Sequence, residues 1–106
     1  MADFDRELLR QLASEGRLQW HHHALERLLE RGIARQEVLD TLSSGELVEV
    51  YSHGRPYPSA LLLQTQAQPL HVVAAVDPVA RVCHVITAYR PDLEHFEPGF
   101  RIRRKD

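Results

Sequence analysis

Three side chains that can bind or act on phosphate recur at helical spacing near the start of the chain. His23, Arg27 and Arg31 are each four residues apart, so on a helix they share one face. Glu26 and Glu30 stand between them. One interpretation is a cationic ridge that meets phosphate, with an imidazole at one end. The other is a solvated helix face with intrahelical ion pairs, and spacing alone leaves both open.

A second polar group lies in stretches that are typical of β-strands. His71 interrupts an otherwise apolar run, and Thr87 and Tyr89 end the next run. A two-residue turn between these strands would place His71 on one face with His84. A three-residue loop would place it with Thr87 and Tyr89 instead. The sequence does not decide this, because a one-residue slip moves every side chain to the other face.

Histidine, arginine and tyrosine together are sufficient for metal-independent RNA cleavage. The 2′-hydroxyl needs a base, the departing 5′-oxygen needs an acid, and the pentacoordinate phosphate needs positive charge. Imidazole, with a reference pKa of roughly 6.5, can serve as acid or base near neutrality.

The run His21–His23 invites a metal-site interpretation, which helix geometry argues against. Adjacent helical side chains point about 100° apart and cannot converge on one ion. The single cysteine, Cys83, excludes a disulfide framework and is expected to be a small buried hydrophobic residue. No nucleophile elbow, phosphate loop or dinucleotide fingerprint is present. We therefore expect no bound metal and no cofactor.

The elements that must position these groups change period partway along the chain. Apolar residues first recur at helical spacing, and from Glu46 onward they follow strand-like patterns. Leu25, Leu28 and Leu29 are expected to form the buried face of the second helix. The predicted helices cover the segment before Gly16, about 19–31 before Gly32, and about 35–43 before a left-handed Gly45. The predicted strands cover 47–51, 60–65, 70–76 and 81–89. This order predicts an α+β fold in which N-terminal helices pack on a four-stranded antiparallel sheet.

Length and composition bound the remaining possibilities. The 106 residues, 43% of them hydrophobic, fit a single domain over 1–106. Within it we expect an N-terminal helix in 1–18, a core over 19–90 and a basic tail over 91–106. No apolar run is long enough to span a membrane, and no signal peptide precedes the first helix, so a cytoplasmic protein is expected. The net charge of −2 permits an RNA partner without requiring one.

Several ordered segments carry a resemblance to a known family. Taken together, they resemble the bacterial domain-of-unknown-function family 4258, and the likeness extends over nearly all of 19–104. The segments are 23–33 (HALERLLERGI), 37–38 (EV), 44–46 (SGE), 55–59 (RPYPS), 69–73 (PLHVV) and 86–89 (ITAY).

The resemblance implies a fold, a function and a partner. This family resembles RelE-like and MqsR-like mRNA-cleaving toxins, which share the layout of helices followed by an antiparallel sheet. It is also similar to them in sitting beside a small zinc-binding antitoxin of the MqsA type. The resemblance carries over His23, Arg27, Arg31, His71 and Tyr89 as matching positions, without assigning their roles.

Two positions depart from the family pattern. Arg90 stands where many relatives carry an acidic residue, which makes the end of the sheet more cationic and suits phosphate binding. Ala34 replaces the usual helix-capping Ser or Thr, at a cost of about 1 kcal/mol.

The leading hypothesis is a metal-independent endoribonuclease, the toxin of a toxin–antitoxin pair. On it His23 or His71 is the acid or base, Arg27 and Arg31 hold the scissile phosphate, and Tyr89 orients the substrate. The alternative is a non-catalytic module that binds a protein or RNA. A groove shared by His71, Tyr89 and His23 would favour the enzyme, whereas a buried, hydrogen-bonded His71 would favour the module.

Overall fold

Three helices and five strands make up the computed structural model, which describes residues 4–105. The helices are α1 (Arg6–Ser14), α2 (His22–Arg31) and α3 (Arg35–Ser44). The strands are β1 (Leu18–Trp20), β2 (Glu46–Tyr51), β3 (Ser59–Gln64), β4 (Leu70–Asp77) and β5 (Val82–Tyr89). The predicted helix and strand types are confirmed for α1 to α3 and for β2 to β5, with bounds within one or two residues for α3 and those four strands.

The sheet has five strands in the order β1-β5-β4-β3-β2, and it is mixed. Strands β2 to β5 form the predicted antiparallel part, while β1 pairs with β5 in parallel through Leu18↔Cys83 and Trp20↔Val85. The prediction of four purely antiparallel strands was therefore wrong. Residues 19 and 20 had been assigned to the second helix because a three-residue strand is too short to show a period of its own.

Two helix ends follow the expected local chemistry, and one differs from the expectation. The Asp5 side chain accepts the Leu8 amide and caps α1, and Gly32 ends α2 in the left-handed conformation at φ 65°. The expectation of a left-handed Gly45 was wrong, because its φ of −70° and ψ of 160° are extended. Gly45 is the one residue between the end of α3 and the start of β2.

The helices pack on one face of the sheet and enclose the main core. Leu9 and Leu12 of α1 meet Val38 and Leu42 of α3 within it, and all four are fully buried. From the sheet come residues at alternating positions of β4 together with the buried Cys83, Val85 and Ala88 of β5. Burial raises the pKa of the Cys83 thiol to about 12, which makes it the inert hydrophobic residue that was expected.

The buried face of α2 differs from the expected one. Ala24 and Leu28 are buried and Leu25 is partly buried, but Leu29 is 85% exposed. Leu29 lies about 100° around the helix from Leu28, so a helix that presents Ala24 and Leu28 to the sheet turns Leu29 toward solvent.

The second face of the sheet is covered at one end by the C-terminal segment, residues 91–105. Phe96 of this segment is 2% exposed, and its ring meets the His71 ring edge-on with 4.7 Å between centroids. Arg101 binds Glu46 with two contacts of 2.8 Å, and Arg103 binds Glu49 at 3.1 Å. The basic tail expected from the sequence is therefore folded against the strands.

No helix within residues 4–105 has the length and apolar character needed to cross a bilayer.

Packing around Gly45 predicts that replacing it with alanine costs more stability than the same change at Gly16. A Cβ at Gly45 would lie 2.5 Å from the Thr41 carbonyl oxygen and 3.1 Å from that of Leu63. We expect Gly45→Ala to lower the free energy of unfolding by about 2–3 kcal/mol, since backbone atoms must move to accept the methyl group.

Gly16→Ala is the matched control. Gly16 has φ 74° and nothing within 4 Å of an added Cβ, so only the left-handed backbone penalty of about 1 kcal/mol applies. Urea unfolding of both variants measures the difference. A larger loss at Gly16 than at Gly45 would contradict the packing described for the α3–β2 junction.

Candidate functional site

An open cleft of about 470 Å³ lies where α2 and β5 end and the C-terminal segment begins. Two of the side chains predicted from the sequence to bind phosphate meet in it, Arg31 and Arg90, together with Tyr89. The remaining lining residues come from the C-terminal segment and are Pro91, Asp92, His95, Phe96 and Arg103.

Arg31 is the last residue of α2, and its position is set from both sides. The left-handed Gly32 ends the helix directly after it, and its Nη1 donates to the Ala88 carbonyl oxygen of β5 at 2.7 Å. Among residues 4–105 it has no carboxylate within ion-pair distance. Arg31 thus brings a positive charge to the cleft that no acidic neighbour neutralises.

Arg90 follows β5 and is held firmly. Its Nη2 donates to Glu37 Oε1 at 2.7 Å, and its Nη1 reaches the carbonyl oxygens of Gln68 and Pro69 at 3.3 and 3.4 Å. Glu37 also accepts the Ala34 amide, and these two hydrogen bonds hold its pKa below the usual range. The guanidinium is therefore fixed at the mouth of the cleft, with its charge partly balanced.

The register of β4 and β5 places His71 opposite Tyr89. Asp77 pairs with Val82, so the hairpin loop has four residues, and Ile86 forms a bulge that shifts the later pairs by one. His71 shares its face with Thr87 and Tyr89, as expected for a three-residue loop, and the bulge brings His84 onto the same face, as expected for a two-residue turn. This arrangement arises from a longer loop and a bulge.

His71 has no exposed surface, and both of its ring nitrogens are bonded. Nε2 lies 2.9 Å from the Phe100 carbonyl oxygen, which can only accept, so Nε2 carries the proton. Nδ1 then accepts from the Tyr89 hydroxyl at 3.2 Å. Burial lowers the pKa of His71 and raises that of Tyr89, so both groups are neutral near pH 7.

His23 and Arg27 lie on the exposed surface of α2, outside the lining of the cleft. His23 Nδ1 is 3.4 Å from a Glu26 oxygen, and Arg27 Nη1 is 3.4 Å from a Glu30 oxygen. These are the intrahelical pairs of the second interpretation. The stripe runs roughly 12 Å along the helix from His23 to Arg31, and only its last member reaches the cleft.

His95 lines the cleft, and the sequence analysis did not single it out. Its Nδ1 lies 2.8 Å from Asp92 Oδ1, an oxygen that also accepts the amides of Glu94 and His95 at 3.0 Å. The hydrogen bond from the His95 ring is the largest cause of the lowered pKa of Asp92. A carboxylate bonded to Nδ1 orients the ring and leaves Nε2 as the nitrogen that exchanges protons. The spacing Asp92–His95 within a short turn was the available signal.

Asp92, Glu94 and His95 also have ligand atoms within 4.8 Å of one another, which is close enough to hold an ion. All three are exposed, and exposed carboxylates commonly cluster without binding a metal ion. This group alone does not make a metal site.

Comparison with known proteins identifies the family of the chain. The family model described as "Domain of unknown function (DUF4258)" matches residues 20–90. No curated protein matches the chain. No solved structure matches it either, so the likeness to RelE-like and MqsR-like toxins stays an expectation from the sequence.

The buried His71 predicts a pH dependence of stability. Its pKa in the folded protein lies below the unfolded value of roughly 6.5, so between the two values only the unfolded chain takes up the proton. The free energy of unfolding should therefore fall as pH is lowered from 7.5 to 5.0.

Urea unfolding at both pH values measures this loss. Burial also lowers the pKa of His84, so the comparison uses a His84→Gln background. Adding His71→Gln, whose amide can bond both neighbours of the ring, should reduce the loss on acidification. An identical loss with and without His71 would show that this imidazole is not the cause.

Proposed function

The chain belongs to the DUF4258 family of domains of unknown function, and from the geometry of its cleft we propose that it is a metal-independent endoribonuclease. One observation carries this proposal. Arg31, with no acidic partner among the described residues, lines the same cleft as the carboxylate-oriented imidazole of His95. A phosphate-binding charge beside an acid–base group is what cleavage of an RNA phosphodiester requires.

The reaction follows from these groups. The 2′-hydroxyl attacks the adjacent phosphorus while His95 Nε2 takes its proton, and a P–O bond forms. The P–O5′ bond then breaks, and the protonated His95 returns that proton to the departing 5′-oxygen. The products are a 2′,3′-cyclic phosphate and a 5′-hydroxyl. Asp92 stabilises the transient imidazolium through its hydrogen bond to Nδ1.

The arginines stabilise the charge that develops on the phosphate. Arg31 contacts the non-bridging oxygens, and Arg90 and Arg103, which line the same cleft, add positive charge near them. Guanidinium groups provide here the electrostatic stabilisation for which other nucleases use a metal ion. The hydrogen bonds of Arg90 to Glu37 and to the backbone hold its charge in place before the reaction. Such a preorganised charge stabilises the transition state without having to move.

His71 is a positioning residue in this mechanism. Its neutral ring accepts the Tyr89 hydroxyl proton and so fixes the Tyr89 oxygen at the cleft, where it contacts the substrate phosphate. His23 and Arg27 extend the surface along α2 and contact phosphates on one side of the scissile one. The biological role proposed from the family likeness is that of a cytoplasmic toxin, with a small zinc-binding antitoxin as its partner.

A second candidate, a non-catalytic module that binds RNA or protein, is favoured by a specific observation. His71 is buried and fully hydrogen-bonded, which is the arrangement expected of such a module. The same cleft would then hold a phosphate without cleaving its ester.

Cleavage of a mixed RNA substrate in EDTA, with product analysis, separates these candidates. We expect His95→Gln to slow cleavage by about a hundredfold or more because the acid–base group is lost. Arg31→Gln should slow it by a similar factor and also weaken RNA binding. The expected product of the unmodified protein is RNA ending in a cyclic phosphate.

Two matched variants control for the loss of a histidine–carboxylate pair or of a hydrogen bond from an arginine to a backbone carbonyl. His22 pairs with Glu26 at 3.1 Å outside the cleft, and Arg17 donates to the Arg81 carbonyl oxygen at 2.8 Å. His22→Gln and Arg17→Gln should cleave at the rate of the unmodified protein. Full activity in His95→Gln would remove His95 from the mechanism, and RNA binding without cleavage by any sample would favour the module.

A further inference from the structure

A second, mostly apolar cavity lies on the sheet face opposite the helices, away from the cleft. Its volume is about 280 Å³, and it shares no lining residue with the cleft. His21 and His84 lie in its wall, and the other lining residues are Gly54, Arg55, Pro56, Tyr57, Ser59, Ala75 and Ile86. Nothing in the proposed cleavage mechanism uses this cavity.

The two histidines are brought together by the parallel pairing that the sequence did not reveal. Gln19 of β1 is the register partner of His84, and the His21 amide donates to the Val85 carbonyl oxygen at 3.4 Å. His21 stands two residues beyond Gln19 and therefore projects on the side of the sheet where His84 lies. The pair is set by the backbone of two strands, 63 residues apart in the chain.

The ring nitrogens of the pair face each other. His21 Nε2 and His84 Nδ1 are 3.2 Å apart, with the rings nearly perpendicular at 81°. Two imidazole nitrogens bound to one tetrahedral Zn²⁺ at about 2.0–2.1 Å are about 3.3–3.4 Å apart. The separation of the two nitrogens thus differs from that of a zinc-bound pair by only a few tenths of an ångström. A bound ion lies off the line that joins them, so the rings must also turn by roughly 35° to direct both lone pairs at it.

The surroundings decide which ions fit. Tyr57 stacks on the His84 ring and hydrogen-bonds to Asp77, which places a negative charge near the pair. Arg55 lies in the same wall and opposes it. Two neutral imidazoles suit borderline divalent ions such as Zn²⁺, Ni²⁺ and Cu²⁺, whereas Mg²⁺ and Ca²⁺ require oxygen ligands.

We propose that His21 Nε2 and His84 Nδ1 form a binding site for a borderline divalent transition-metal ion, represented by Zn²⁺, with water in the remaining positions. This site differs from the one considered for the run His21–His23. Neighbours in that run diverge, whereas His21 and its partner across the sheet converge. The inference does not depend on RNA cleavage.

Zinc titration of the full chain, prepared without a histidine tag, tests the site. Calorimetry should show one equivalent of Zn²⁺ bound, and NMR of the imidazole nitrogens should show the His21 and His84 signals shifting together. Each of His21→Gln and His84→Gln should weaken binding at least tenfold, and Mg²⁺ should not bind. His21 is exposed and follows β1, so its variant keeps the fold even if that at His84 does not.

His22→Gln and His95→Gln are the matched controls, because His22 belongs to the same run and His95 to the exposed acidic group. Both should bind zinc as the unmodified protein does. The proposal is overturned if His21→Gln binds zinc normally, if His95→Gln abolishes binding, or if no zinc binds at millimolar concentration. Cleavage measured in EDTA is unaffected by any of these outcomes, so the two proposals fail separately.

Discussion

The hydrogen bond from the buried His71 ring to the Phe100 carbonyl oxygen is the contact on which the cleft depends. Asp92, His95 and Arg103 all belong to the segment that this bond holds against the sheet. The same ring fixes the Tyr89 hydroxyl through its other nitrogen. A buried imidazole with both nitrogens satisfied costs little, but one left without a partner would cost about 1–3 kcal/mol. The position of the cleft is thus coupled to the stability of the sheet.

The basic residues of the tail form ion pairs that hold it in place, which the composition alone does not indicate. Arg101, Arg103 and Arg104 give the tail its basic character, and each is paired with a carboxylate from β2 or from the tail itself. Pairs as exposed as these contribute about 0–1 kcal/mol each, and their main effect here is to fix where the segment lies. A basic stretch of sequence has therefore become a nearly neutral surface. Within the cleft, Arg31 is the arginine without a carboxylate partner among the described residues, and it comes from a helix that looked evenly balanced.

Much of the fold was predictable because periodicity is a local property. The apolar patterns located three helices and four strands, and the left-handed glycine after α2 followed from its place. The parallel strand β1 was missed because three residues carry no pattern, and its existence depends on a partner far along the chain. The exposure of Leu29 shows a similar limit, since which face of a helix is buried depends on the sheet beneath it.

The candidate site, like the fold, was predictable only for the residues that local sequence features distinguish. Arg31 was identified from its helical spacing, Tyr89 from its place at the end of a strand and Arg90 from its departure from the family pattern, and all three line one cleft. His23 and Arg27 share their stripe with Arg31, but spacing along a helix cannot say how far the cleft extends. His95 could not be associated with the others, because only the folding of the C-terminal segment over the sheet brings it near Arg31.

The arrangement of the sheet also limits how another chain could attach to it. An outermost strand with unpaired backbone groups is a template for pairing with a foreign strand. One border of this sheet is β1, which offers three residues before the chain turns into α2. The other is β2, which is interrupted by a bulge and has Glu46 and Glu49 tied to tail arginines. Neither border presents a long, regular strand, so the protein resists strand-by-strand self-association, and a partner is expected to bind through side chains.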